Sequence, residues 1–158
     1  MRGLGDEEPI LNYFNGGLGG NGSGPGPADC IVFSSNSLAL ISESQGGTGN
    51  LDNNPSGGPV AFFLSGAADT MNVAAGFTTG FSFYYTSTED DSITEWSGLN
   101  GTGTELADIA LNANATPGLG LPGRRRRRPL RVGSSRRHVL RHGEVGKLWR
   151  FRGPDRLR

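Results

Sequence analysis

The chain has 158 residues, 27 of them glycine, with 15 basic and 15 acidic side chains. The zero net charge hides a division: residues 1–123 hold thirteen carboxylates against Arg2 alone, net −12, and residues 124–158 hold fourteen Arg or Lys against Glu144 and Asp155, net +12. Abundant glycine excludes a mainly helical body, the lack of any 18-residue apolar run excludes a membrane span, and the lone Cys30 excludes an internal disulfide framework.

In chain order, Met1–Glu8 has no apolar run after its one arginine, so no signal peptide is expected. Residues 15–28 carry too many Gly and Pro for a ladder or a helix and predict a loop. Short apolar runs then predict strands at Ile31–Phe33, Leu38–Ile41, Val60–Leu64, Met71–Val73 and Phe81–Thr86, with a second Gly/Asn-rich loop from Gln45 to Pro59. Ile93–Leu99 alternates in part, and Asn100-Gly101 before Leu106–Leu111 predicts a hairpin, because that turn requires positive φ. A short helix over Glu105–Asn112 is the alternative by periodicity. From Pro117 the text changes to Pro/Gly, then to five consecutive arginines and a run in which arginine keeps recurring, broken by Gly133, Gly143, Gly146 and Pro154. The expected architecture is all-β. Residues 1–116 form an incomplete β-sandwich or jelly-roll-like domain, and a disordered Arg-rich tail occupies 117–158. Phe62, Phe63, Phe81, Phe83 and Tyr85 are the expected core aromatics, and Trp96 is either core or a surface platform.

Motifs that elsewhere carry chemistry have weak context here. Gly17–Gly22 satisfies Gly-x-Gly-x-x-Gly but is followed by more Gly and two Pro instead of a helix whose N-terminus would meet a pyrophosphate. Gly46–Asp52 comes near a calcium-binding nonapeptide but has Leu51 where Asp is required, and no second copy. Asp52, Asn53 and Asn54, or Glu89-Asp90-Asp91, offer oxygen ligands of the kind calcium takes, but such acidic loops are usually just solvated. His138 and His142 have helical metal-ligand spacing among arginines that disfavour a dication. Asn21, Asn100 and Asn114 begin glycosylation-type triplets expected by chance in such text. Residues 1–123 hold no histidine to serve a Ser or Cys nucleophile. The expectation is therefore a non-enzymatic chain without cofactor, metal or catalytic residues. Arg124–Arg128, Arg136, Arg137, Arg141, Lys147, Arg150 and Arg152, with Trp149 and Phe151, give the alternative of a nucleic-acid-binding tail. The acidic remainder and the want of a folded nucleic-acid module speak against a specific nucleic-acid partner.

Several stretches resemble one protein group. Glu8–Gly17, Gly19–Pro27, Val32–Ile41, Met71–Phe83 and Trp96–Thr104 are similar to the opening part of bacterial PEP-CTERM sorting-domain proteins, the substrates of exosortases. The resemblance spans Pro9–Leu111 and implies an exported cell-surface or extracellular-matrix protein, with surface polysaccharide as its expected partner. The chain departs from the group in lacking the Pro-Glu-Pro motif and the apolar helix that follows it. Codons for Arg137–Arg158 read one nucleotide later permit Thr-Phe-Ser-Gly-Thr-Ala-Lys-Ser-Val-Asn-Phe-Gly-Gly-Ser-Ala-Asp-Gln-Ile-Gly-Phe, which is strand text of the kind the group carries there. A frameshift from roughly Gly118–Arg124 onward is therefore expected. A sandwich that loses its last strands keeps bare edges, so marginal stability is expected with it.

Overall fold

A computed structural model describes residues 3–51, 54–55, 57–77, 81–115, 138–140 and 146–152, the last two segments by their backbone. Among the described residues ten strands run in chain order: β1 (Glu8–Pro9), β2 (Ile31–Phe33), β3 (Leu38–Leu40), β4 (Val60–Phe62), β5 (Ala68–Phe77), β6 (Phe81–Phe83), β7 (Asp91–Trp96), β8 (Glu105–Leu111), β9 (His138–Leu140) and β10 (Gly146–Arg152). The described residues contain no α-helix, only a 3-10 turn at Glu43–Gln45. The chain is all-β, and Glu105–Leu111 is a strand, not the alternative helix.

The strands form three antiparallel sheets, ordered β1-β3-β4, β2-β5-β10-β7-β8 and β6-β9. β7 and β8 make the hairpin expected around Asn100-Gly101, with φ of 58° and 71° at those two residues. This is the left-handed region that Asn and Gly enter most readily. The loop is closed by Ser97 N–H donating to the Thr104 carbonyl at 2.9 Å and by Gly98 N–H donating to that of Thr102 at 2.9 Å.

β5 is longer than its apolar centre suggests. Met71 and Val73 are flanked by Ala, Asp, Thr and Gly, residues that hide a strand from a hydropathy reading. The larger difference is in the tail, where no regular structure is expected from composition. Residues 138–140 pair with β6, and residues 146–152 lie between β5 and β7. In Gly146-Lys-Leu-Trp-Arg-Phe-Arg152, aromatic residues alternate with basic ones, and a period of two is what a strand needs. The rest of the tail expected to be disordered lies outside the described residues.

The buried centre is also displaced from its expected place. Leu4, Ile10, Tyr13, Phe33, Ala39, Met71, Ile93 and Leu111 form it. Phe81, Phe83 and Tyr85 are only partly buried and pack against it, whereas Phe62 and Phe63 are half-buried outside the cluster. The reason is local: residues 3–14 fold inward, with Tyr13 edge-on to Phe14 at 5.2 Å and Phe14 tilted against Phe33 at 6.0 Å. Gly26 permits that approach, because a Cβ there would strike the Tyr13 carbonyl oxygen and ring.

Candidate functional site

The polar chemistry of the molecule is concentrated in carboxylates that the chain folds around. In residues 1–123, whose one basic residue is Arg2, a carboxylate leaving water can turn to N–H or O–H donors of the chain. Glu8, on β1, is fully buried. Its Oε2 accepts the Gly5 amide at 2.6 Å, and its Oε1 accepts the amides of Asn21 at 3.0 Å and Ser23 at 3.1 Å. The Gly-rich loop is thus wrapped on one side chain, and glycine is required where it passes: a Cβ on Gly19 would fall 2.5 Å from Glu8 Oε1 and 2.7 Å from Leu4. Burial pushes the Glu8 carboxyl pKa up, but the Ser23 hydroxyl and the amides of Gly5, Ser23 and Asn21 outweigh it and hold the group below its ordinary value.

Two neighbours extend the arrangement. Asp6 accepts the amide of Ile41 at 2.6 Å through Oδ1 and that of Thr48 at 2.7 Å through Oδ2. Glu7 Oε1 accepts the Thr48 hydroxyl at 2.8 Å. For Asp6, burial again raises the pKa, and the bonds from Ile41, Thr48 and the Glu7 amide reverse the sign. Residues 6–8 therefore fix both the first Gly-rich loop and the second, thirty-odd positions downstream.

Asp69, on β5, is also buried, at 2 % exposure. Its Oδ1 accepts the Ser34 hydroxyl and its Oδ2 the Ser37 hydroxyl, both at 2.8 Å. Here burial wins over the two hydroxyls and the Thr70 amide, and the carboxyl pKa is raised. Glu95, on β7, is fully buried at a position whose Cα partners are Ala107 and Trp149.

The residues singled out in the sequence do not converge. The Gly17–Gly22 loop contains turns and no helix; the amides of Asn21 and Ser23, just where a pyrophosphate would be cradled, are spent on Glu8. Of the calcium candidates, Asp52 and Asn53 lie outside the described residues, and the Asn54 amide donates to the Gly58 carbonyl. Asp90 Oδ1 accepts the Ala113 amide at 2.8 Å. Asp91 opens β7 with its pKa raised by burial and by Glu89, against the Ser92 amide. Among the described residues no group of three or more His, Cys, Asp or Glu is placed to hold a metal ion. His138 starts β9 opposite Phe83, and His142 lies outside the described residues. Arg124–Arg128, Arg136, Arg137 and Arg141 also lie outside them, whereas Lys147, Trp149, Arg150, Phe151 and Arg152 fall on β10, which is laddered on both edges. Trp96 is half-buried, with an indole N–H that is buried and finds no acceptor among the described residues.

Leu18, Leu64, Tyr84 and Leu99 are the large apolar side chains left exposed among the described residues. Phe77, Phe81, Phe83 and Tyr85 form a row with successive ring centroids 6.4, 5.9 and 6.3 Å apart. Tyr84, between the last two, is 52 % exposed. No helix among the described residues is long and apolar enough to cross a membrane. Comparison with protein-family models, with curated proteins and with solved structures returns no match.

Proposed function

We propose that this chain is the ectodomain part of an exported, non-enzymatic bacterial surface protein of the PEP-CTERM type, built as a β-sandwich and associated with surface polysaccharide. The observation that carries the reading is the use of its carboxylates. Glu8 and Asp69, two of the buried acids, accept donors of the chain itself on both of their oxygens. A non-enzymatic scaffold accounts for acids spent in this way. Support for two facing sheets comes from the single apolar cluster, which draws Ala39 and Ala61 from the three-stranded sheet and Phe33, Met71, Ile93 and Leu111 from the five-stranded one.

The glycan association rests on the exposed ring of Tyr84, since flat rings stack on sugar faces. The reading includes a shifted frame in the C-terminal codons. Its support lies in the genetic code, which permits Gly/Ser/Thr-rich strand text over these codons in the other frame. Sequencing the transcript across codons 115–130 tests the frame. One uninterrupted frame in the producing cell refutes the shift, and a displaced frame continuing the Gly/Ser/Thr text upholds it. Titrating the protein with the matrix polysaccharide of its own cells tests the partner. Saturable binding that is lost in Tyr84→Ala is expected, and no binding by a full-frame version ends the proposal.

A further inference from the structure

The chain holds three Asn-Gly pairs, Asn15-Gly16, Asn21-Gly22 and Asn100-Gly101, each with its asparagine exposed. In such a pair the glycine nitrogen has no neighbouring Cβ to hinder its attack on the asparagine's side-chain carbonyl carbon. What decides the reaction is how firmly the fold holds that nitrogen and that side chain.

The three surroundings differ. The Gly16 amide donates to the Pro27 carbonyl at 2.9 Å, and the Gly22 amide donates to the Gly19 carbonyl at 3.0 Å. The Asn21 amide is held as well, by the buried Glu8. No backbone carbonyl holds the Gly101 amide in this way among the described residues; the donors that close its loop belong to Ser97, Gly98, Thr102 and Thr104. Asn100 is restrained instead through Asn72 on β5. The Asn72 side-chain amide donates to Asn100 Oδ1 at 2.9 Å, and the Asn100 backbone amide donates to Asn72 Oδ1 at 2.9 Å. Both bonds lie at the surface, where local opening is easiest.

We propose that Asn100 is a site of spontaneous covalent modification, with Asn72 as the lock that sets its rate. When the lock opens, the Gly101 nitrogen attacks Asn100 Cγ. The new N–C bond closes a succinimide ring, the Cγ–Nδ2 bond breaks, and the Gly101 proton leaves with Nδ2 as ammonia. A solvent water then opens the ring. Its attack at Cγ leaves an ordinary aspartate; its attack at the backbone carbonyl carbon leaves an isoaspartate, with the main chain running through Cγ. Asn72 is a positioning residue, because closing the ring swings the Asn100 carboxamide toward Gly101 and both of its bonds oppose that movement. An isoaspartate adds a carbon to the main chain, so residue 100 no longer matches the Asn72 carboxamide and the β7–β8 loop is released from β5. Either product adds a negative charge to a portion that already carries net −12.

The test incubates the full-length folded chain at mildly alkaline pH in water labelled with heavy oxygen. Peptides bearing Asn15, Asn21 and Asn100 are then followed by mass spectrometry, with aspartate and isoaspartate separated by chromatography. Label should enter residue 100 at least about tenfold faster than residues 15 and 21. In unfolding urea the three rates should draw together, since the fold is what separates them. Asn72→Ala should raise the rate at Asn100 by about tenfold, the worth of two exposed hydrogen bonds, while Asn15 and Asn21 keep theirs as internal controls. Equal rates at the three sites of the folded chain, or a faster rate at Asn15 or Asn21, overturn the proposal. A spread that survives in urea overturns it too, by assigning the difference to sequence alone. So does an Asn72→Ala chain in which Asn100 converts no faster than in the parent, or in which all three sites accelerate together.

Discussion

Glu8 and Asp69 are two carboxylates with almost no exposed surface whose pKa values move in opposite directions. Asp69 lies deeper in the protein, so loss of solvation weighs more heavily on it, and its donors are fewer. Glu8 collects amides from three separate backbone positions and a hydroxyl, each fixed by the loop that carries it. Asp69 relies on two serine hydroxyls, which rotate and act as acceptor or donor as needed, and on its neighbour's amide. Four donors around a carboxylate near the surface replace water well; three around a deeper one do so only in part. The first region uses charge to build structure, and the second tolerates charge at a cost.

The comparison breaks most directly at Glu8. Glu8→Ala leaves three amides without their acceptor, and a loss of about 3–5 kcal/mol is expected in urea unfolding. Glu8→Gln should cost about 2–3 kcal/mol, because its amide nitrogen meets a donor where Oε2 accepted one. Equal stability of both variants with the parent would remove the claim that the loop is organised by this side chain. Next in size, Ser34→Ala with Ser37→Ala takes both hydroxyls from Asp69 and should cost about 2–3 kcal/mol at neutral pH. That loss should shrink in acid, as the isolated carboxyl becomes protonated.

The pH profile sharpens the contrast. Glu8 and Asp6 have lowered pKa values in the fold, so their stabilisation is present above the ordinary carboxylate range and is lost as pH falls through their folded values. Asp69 and Asp91 have raised values, so the fold binds their protons first, and stability rises as pH drops through the window just above the ordinary range. Melting temperature should therefore climb on mild acidification and then fall steeply. Glu8→Gln should flatten the fall. Asp69→Asn should flatten the rise and, as the smallest effect, change stability at pH 7 by no more than about 1 kcal/mol.

Much of the sheet structure was legible in residue pattern. Ile31–Phe33, Leu38–Leu40, Val60–Phe62 and the Asn100-Gly101 hairpin stand where β-branched and apolar residues between turn formers put them. β1 and the flanks of β5 were not, since Glu8 and Asp69 are unlikely-looking interior residues until their partners are known. β10 was masked by its arginines, although Trp149 and Phe151 keep a strand's alternation. The Glu8 and Asp6 sites had one signal that went unused: acids in a stretch whose one cation is Arg2 lie beside Gly-rich loops, whose amides are free to turn toward them. Which acids those are depends on contacts spanning 13 to 42 positions, beyond the reach of local pattern.

The wrapping of the first loop on Glu8 also governs how that stretch exchanges with solvent. By composition, residues 15–28 would be the first to open to deuterium or to a protease. The amides of Asn21 and Ser23 close on a buried anion, however, and those of Gly19, Gly20 and Gly26 close on backbone carbonyls at 2.8–2.9 Å. Glycine abundance here marks a tightly folded stretch, and its amides should exchange at the slow pace of the interior.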